Sequence, residues 1–184
     1  MAIYQVTGKN TVLTPLTPAN LELFYGLLQP DFLQASLLYD PPLNFSYNCR
    51  MLEDRIRETQ FDDYNRIYLI TESSTGLITG IAGLFSIDWI QKRAEVILIM
   101  DRENRKQKKA YEPLKLILRK AIEEWNIGRF YIRIYADDDV SFTVLKSFGF
   151  TREGELKEYG RIQREWFDVF ILGLKAGEFH YVDY

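Results

Sequence analysis

The segment from Ala94 to Met100 constrains the fold of this chain more than any other, because it is an almost uninterrupted run of bulky apolar residues. Such a run is typical of a strand that is covered on both faces, so we expect it near the centre of a sheet. A second strand, Phe130–Tyr135, follows after a helix whose apolar face comprises Leu114, Ile117, Leu118, Ala121, Ile122 and Trp125. This order of strand, helix and strand predicts a helical crossover within the sheet.

The rest of the chain adds hairpins and further helices. Strands are predicted at 11–16, 67–70, 77–87, 153–158 and 166–174, with turns at 73–76 and around Gly160. Helices are predicted from Thr17 to about 28, at about 48–59, and from the capping triplet Asp137–Asp139 to Gly149. The sequence therefore predicts the α/β (α+β) class. We expect one domain over residues 1–184, with a central mixed, twisted sheet of about six to seven strands and about four helices.

The balance of charges and the rare residue types indicate which classes of partner the chain is not expected to bind. Its 23 Lys and Arg residues against 26 Asp and Glu residues give a net charge of -3, so no nucleic acid partner is expected. No stretch approaches the roughly 18 apolar residues of a membrane span, and no secretion signal is visible, so no membrane association is expected. Cys49 and His180 are single, which disfavours a disulfide or zinc site and fits a reducing cytoplasm. Asp137–Asp139 suits a helix cap better than a calcium loop, so no metal is expected.

Three segments, taken together, carry a family resemblance. They are the apolar strand that ends at Met100, the Arg-led stretch Arg105–Ala110 that opens the amphipathic helix, and the stretch Asp138–Phe150. The last continues a spaced pattern made of Asp138, Ser141, Val144-Leu145, Gly149-Phe150, Arg152-Glu153-Gly154 and Trp166-Phe167-Asp168. The combination resembles the GNAT superfamily of N-acetyltransferases. Within it, the chain is most similar to the subgroup that acetylates the N-termini of ribosomal proteins, the ribosomal-protein-alanine N-acetyltransferases.

The resemblance implies a GNAT-like fold and acetyl-CoA as co-substrate. The residues that it assigns to the cofactor are Leu98, Ile99, Met100, Arg105, Lys106, Gln107, Lys108, Lys109, Ala110 and Asp138. A helix N-terminus favours anions, so the loop before the helix would hold the pyrophosphate. Lys106 and Lys108 stand where the family pattern has glycine, and their side chains would supply phosphate contacts in place of a close backbone approach. The alternative is a solvated basic turn.

Two residues are the catalytic candidates that the resemblance provides. Ser141 matches the subgroup position whose hydroxyl can protonate the departing thiolate, whereas Leu145 stands where many other members have a tyrosine acid. Ser141 could instead satisfy backbone groups in a first helical turn. Glu95 matches an acidic position that activates the amine, with Glu72 as a weaker alternative, and the competing interpretation of Glu95 is an exposed carboxylate at the edge of a strand. Asp138 stands where the subgroup often has Asn, and its role could be limited to an N-cap.

These features predict a cytoplasmic, acetyl-CoA-dependent N-acetyltransferase that acts on a primary amine. The acceptor would be a peptide N-terminus or a small amine, such as a polyamine, an amino acid or an antibiotic. The alternative is an acetyltransferase-fold protein that has lost catalysis and serves as a binding or assembly subunit, because the loop, Asp138 and Leu145 depart from the usual set. A protein partner would then be expected at the aromatic C-terminal residues Phe179, Tyr181 and Tyr184.

Overall fold

The computed structural model describes residues 4–17, 19–20, 23, 64–100, 104, 109–162 and 165–180. The strands there are β1 (Val6–Thr7), β2 (Thr11–Pro15), β3 (Arg66–Glu72), β4 (Ile78–Asp88), β5 (Arg93–Met100), β6 (Arg129–Tyr135), β7 (Thr151–Ile162) and β8 (Glu165–Lys175). Helix α1 (Tyr111–Glu123) joins β5 to β6, and α2 (Asp139–Ser147) joins β6 to β7. A 3-10 helix, Ala176–Glu178, follows β8. The predicted helix at 48–59 and most of the one beginning at Thr17 lie outside the described residues.

All of these strands belong to one sheet, in the order β1-β2-β3-β4-β5-β6-β8-β7. Neighbouring strands are antiparallel except for β5 and β6, which are parallel. The predicted mixed sheet and helical crossover are confirmed, and β5 lies in the sheet interior. The sequence missed β1, whose two residues pair with Leu13 and Val12 of β2, because so short a strand has no recognisable alternation.

Both faces of β5 are covered, as its apolar sequence predicts. Val96, Leu98 and Met100 belong to the hydrophobic core beneath α1. Ile97 and Ile99 point to the opposite face, because side chains alternate along a strand, and they are buried as well. The residues of α1 that pack in the core are Leu114, Ile117, Leu118 and Ala121 of its predicted apolar face, together with Tyr111, which that face did not include.

Helix α2 ends at the glycine that the sequence indicates. Gly149 has a φ of +98°, and its N–H donates to the carbonyl of Lys146 at 3.0 Å. The N–H of Phe150 donates to the carbonyl of Leu145 at 3.2 Å. These two hydrogen bonds form a Schellman motif, which needs a positive φ and therefore favours glycine.

The C-terminal region corrects two expectations. Gly160 does not lie in a turn, because β7 continues through it to Ile162 and pairs it with Phe167. A Cβ at Gly160 would lie 2.5 Å from the ring of Tyr135, so this glycine permits close packing within the sheet. Phe179 is not exposed for a partner, because it is 7% exposed and its ring stacks on Phe148 at 6.0 Å between centroids. Tyr181 and Tyr184 lie outside the described residues.

Candidate active site

The parallel strands β5 and β6 separate after a short stretch of pairing. The register joins Arg93 to Arg129, Ala94 to Phe130 and Glu95 to Tyr131. Beyond this point β5 follows β4 and β6 follows β8, and within the described residues no pairing joins 96–100 to 132–135. We call this opening the wedge. Its two facing strand edges present backbone N–H and C=O groups that an extended ligand containing amides can pair with.

The proposed cofactor residues on β5, Leu98, Ile99 and Met100, lie along one edge of the wedge. All three side chains are buried, so a ligand there would meet their backbone rather than their side chains. Their neighbour on the other side is β4, where Gly80 pairs with Met100. Among the described residues, the edge that faces β6 makes no strand pairing beyond Glu95, and the cofactor role of Leu98, Ile99 and Met100 stays a prediction.

The loop assigned to the pyrophosphate falls mostly outside the described residues, which do not include Arg105, Lys106, Gln107 and Lys108. Ala110 is the N-cap residue of α1 and is buried. Lys109 forms an ion pair in which its Nζ donates to Oε1 of Glu72 at 3.0 Å. Glu72 also accepts from the hydroxyl of Thr75 at 2.7 Å. These hydrogen bonds, that of Thr75 most of all, lower the pKa of Glu72, which makes it a poor base.

The N-terminus of α2 brings Asp138 and Ser141 together. Oδ1 of Asp138 accepts from the backbone N–H of Ser141 at 3.1 Å, and Oδ2 accepts from the Ser141 hydroxyl at 2.7 Å. The N-cap predicted for Asp138 is confirmed. Ser141 is 7% exposed, and its hydroxyl proton is directed at this carboxylate. To protonate a thiolate, the hydroxyl must first leave Asp138.

Glu95 lies at the apex of the wedge, on the last position of β5 that pairs with β6. Its Oε1 accepts from Nε of Arg133 on β6 at 2.9 Å, and the two side chains are 19% and 30% exposed. The ion pair orients the Glu95 carboxylate and leaves it partly accessible to solvent. Burial, and secondly the charge of Glu95, raise the pKa of Tyr131, so this neighbour keeps its phenolic proton over the physiological range.

A bulge in β7 carries Tyr159 to the same cluster. Three consecutive residues of β7, beginning with Lys157, stand opposite Asp168 of β8. Asp168 fastens the bulge, because Oδ2 accepts from Nζ of Lys157 at 2.8 Å and Oδ1 accepts from the N–H of Glu158 at 2.9 Å. These two hydrogen bonds, that of Lys157 first, lower the pKa of Asp168. At the end of the bulge, Nη1 of Arg133 donates to the Tyr159 hydroxyl at 3.1 Å.

The sequence of the chain has the features of a known domain family. The acetyltransferase (GNAT) domain matches residues 43–171, which is most of the chain. The chain belongs to the GNAT acetyltransferase family. No curated protein matches it significantly.

Solved structures share the GNAT fold over nearly the whole chain. The spermidine N-acetyltransferase from Vibrio cholerae, in complex with CoA and spermine, is similar with a TM-score of 0.77 and 18% identity, over 93% of this chain and 98% of that one. A chimera of that Vibrio cholerae enzyme and hSSAT has a TM-score of 0.76 and 19% identity, over 92% of this chain and 97% of its own. At these identities the likeness shows the fold.

Family membership confirms the predicted fold and the predicted acetyltransferase activity, with acetyl-CoA as co-substrate. The described residues contain no group of three or more His, Cys, Asp or Glu side chains that could hold a metal ion. Over the same part of the chain, no helix is both long and apolar enough to span a membrane.

The sequence did not predict that Arg133, Tyr131 and Tyr159 lie together with Glu95 in this candidate site. The signal on β6 was present, because Tyr131, Arg133 and Tyr135 alternate with the apolar residues Phe130, Ile132 and Ile134. What was missing was the register that sets Tyr131 beside Glu95. The sequence identifies Asp168 only as part of a Trp-x-Asp pattern. In the structure this aspartate stabilises the β7 bulge through two hydrogen bonds.

Proposed function

We propose that the protein transfers the acetyl group of acetyl-CoA to the primary amine of a small molecule or of a peptide N-terminus. The observation that carries this proposal is the wedge, with the Glu95 carboxylate at its apex. A carboxylate there can receive a proton from an amine that approaches the apex, and the strand edges can hold the extended arm of the donor.

On the donor side, Leu98, Ile99 and Met100 would pair with the pantetheine amides through their backbone groups. The loop from Arg105 to Ala110 would bind the pyrophosphate through N–H groups at the start of α1 and through basic side chains. Lys109 would exchange its partner Glu72, at 3.0 Å, for a phosphate oxygen. Because the loop relies on lysines in place of glycines, we expect binding of CoA to weaken as salt is added.

In the chemical step, the amine nitrogen bonds to the thioester carbonyl carbon and the carbon–sulfur bond breaks. Glu95 accepts the proton that the amine loses, directly or through water. Ser141 supplies a proton to the departing thiolate and is restored from solvent. Asp138, as the N-cap of α2, holds Ser141 at 2.7 Å and fixes the place from which its hydroxyl acts.

Two acceptor classes are supported by different likenesses. The spaced pattern from Asp138 to Asp168 resembles the ribosomal-protein-alanine subgroup and favours a peptide N-terminus. The structural neighbours are spermidine N-acetyltransferases, which favour a small amine. A panel of peptides, amino acids and polyamines with radiolabelled acetyl-CoA would separate the two classes. Acetylation of small amines alone would remove the peptide class.

The proposed activity is tested by replacing Glu95 with Gln. This change keeps the size of the side chain and an acceptor for Arg133, but it removes the group that takes the proton. We expect kcat to fall about 10²- to 10⁴-fold, with acetyl-CoA affinity within a few-fold in calorimetry. Arg129→Gln, a change on the neighbouring strand, is the control. Unaltered turnover in Glu95→Gln would remove Glu95 from the mechanism.

The departures at the pyrophosphate loop, Asp138 and Leu145 would also fit an acetyltransferase-fold subunit that has lost catalysis. Calorimetry with acetyl-CoA and CoA distinguishes the two functions, because a folded protein that shows neither heat nor a thermal shift at millimolar ligand supports the subunit. We also propose that the chain acts in the cytoplasm as a single domain, which its lone Cys49 and the metabolic donor support.

A further inference from the structure

Glu95 and Arg133 place a negative and a positive group side by side at the apex of the wedge. Nε of Arg133 is 2.9 Å from Oε1 of Glu95. Neither group is sealed in the core, because about a fifth of the Glu95 side chain and almost a third of the Arg133 side chain are exposed. An acceptor that approaches Glu95 therefore also meets a fixed guanidinium group.

The guanidinium of Arg133 is held in one orientation from two sides. Nε donates to Glu95, and Nη1 donates to the hydroxyl of Tyr159 at 3.1 Å. Tyr159 lies at the end of the β7 bulge, which Asp168 stabilises by accepting two hydrogen bonds. Nη2 makes no hydrogen bond to another described residue. The planar guanidinium thus keeps donors for a further acceptor, in a fork geometry that matches a carboxylate.

The charges of this cluster fit a zwitterion better than a polycation. Arg133 pairs with Glu95, and in the adjacent bulge Lys157 is shared by Asp168 and Glu155, the second of which also pairs with Arg152, so these charges balance. A polyamine would bring its reactive amine to Glu95 without a carboxylate for the Arg133 guanidinium to bind. An amine that carries its own carboxylate presents an opposite charge to each member of the Glu95–Arg133 pair.

We propose that Arg133 selects acceptors that carry a carboxylate one or two carbons from the reactive amine nitrogen, by binding that carboxylate while Glu95 receives the amine. This inference rests on the proposed function and narrows its acceptor. Two kinds of molecule have this chemistry: a free amino acid, and a peptide whose first residue is Asp. In both, the amine nitrogen is acetylated and loses its proton to Glu95, the CoA thiolate leaves, and the carboxylate does not react.

The test compares each acid with its neutral analogue. Wild type, Arg133→Gln and Arg133→Lys are assayed with free amino acids and their amides, and with peptides beginning with Asp or with Asn. The ratio of kcat/KM for acid over neutral analogue cancels any general effect of the substitution on Glu95. We expect wild type to favour the acid about 10- to 100-fold, as for a hydrogen bond to a charged group. Arg133→Gln should bring the ratio near one, mainly through KM, and Arg133→Lys should restore part of it.

Arg129→Gln is the matched control, because it removes a charge from the same strand, where Arg129 pairs with Glu153, and should keep the preference. The acid-over-neutral ratio is compared between the amino acid series and the peptide series. The series with the larger ratio shows whether the acceptor is a free amino acid or a peptide. Equal rates for acids and amides in wild type, preference for polyamines, or a preference that survives Arg133→Gln would overturn the inference.

A binding measurement separates failure of the inference from failure of the proposed function. The N-acetylated amino acid keeps the carboxylate and has lost the ammonium group, so its affinity, measured by calorimetry with CoA present, reports on Arg133 alone. We expect its Kd to rise about 10-fold or more in Arg133→Gln, while the corresponding amide binds both proteins equally. If no amine is acetylated but this dependence holds, the proposed reaction fails and the carboxylate site stands. If the Kd values of acid and amide are equal in wild type, the carboxylate site fails whatever the turnover.

Discussion

Replacing Asp138 with Asn would separate the two hydrogen bonds that join this residue to Ser141. Asn and Asp are comparable N-caps, so the side-chain oxygen of Asp138→Asn can still accept from the Ser141 N–H. The amide NH₂ would then take the place of Oδ2, which is 2.7 Å from the Ser141 hydroxyl oxygen. An NH₂ group only donates, so the hydroxyl would accept from it. The hydroxyl proton would be released toward another acceptor.

The size of the effect follows from this reversal. A hydrogen bond to a charged group contributes about 1.5–3 kcal/mol, and in the wild type Ser141 must give up such a bond before it can protonate a thiolate. Removing that requirement should raise turnover about 10- to 100-fold, since about 1.4 kcal/mol corresponds to a factor of ten in rate. The free energy of unfolding should change by less than about 0.5 kcal/mol, because the cap is kept.

Single-turnover measurements of CoA thiol release, with enzyme and acetyl-CoA in excess over the amine, would isolate the chemical step. Asp138→Ala is the control for the cap, and it should lower the free energy of unfolding by about 1 kcal/mol. The double variant Asp138→Asn with Ser141→Ala should lose the gain. An unchanged or lower rate in a stably folded Asp138→Asn protein would show that the proton of Ser141 is not used.

Three further outcomes are expected. Ser141→Ala should lower kcat about 10²- to 10⁴-fold with little change in acetyl-CoA affinity, and equal turnover would exclude the acid role. Gly149→Ala should lower the free energy of unfolding in urea by at least about 1–2 kcal/mol, because its φ is +98°; Gly177→Ala, whose Cβ would meet nothing within 4 Å, is the control. Lys157 and the neighbouring N–H lower the pKa of Asp168, so the stability that this carboxylate adds is present above about pH 4 and lost as the pH falls further. Acid unfolding monitored by circular dichroism should therefore depend less steeply on pH in Asp168→Asn.

Much of the fold could be predicted because its signals are local. The apolar run at Ala94–Met100 indicated a strand buried on both faces, and the helical spacing from Leu114 indicated α1. Asp138 and Gly149 indicated both ends of α2. Gly160 was placed wrongly because glycine serves turns and close packing alike, and only the structure shows the Tyr135 ring against it.

The site was harder to predict because its contacts join distant parts of the chain. Glu95 could be named from a family pattern, yet Arg133 is 38 residues away and meets it only through the parallel register of β5 and β6. Tyr159 arrives through a bulge, and no periodicity in the sequence reveals a bulge. The partner of the Ser141 hydroxyl is three residues away, which is why the competing capping role could be foreseen.

Because the pairing between β5 and β6 is short, the free energy needed to open the sheet differs from one part of it to another. In the part of the chain that the structure describes, five strands lie on one side of this pairing and three on the other. The backbone link between these halves is the pairing of 93–95 with 129–131, extended by hydrogen bonds from the N–H groups of Gly128 and Arg129 to the carbonyl of Lys92. Such a seam favours partial opening of the smaller half at a lower free energy than global unfolding. A ligand that bonds to both edges of the wedge would close this seam along its length. Amide hydrogen exchange in β6 and β8 should then slow on ligand binding until it matches that of β3 and β4, so that the two halves open as one unit.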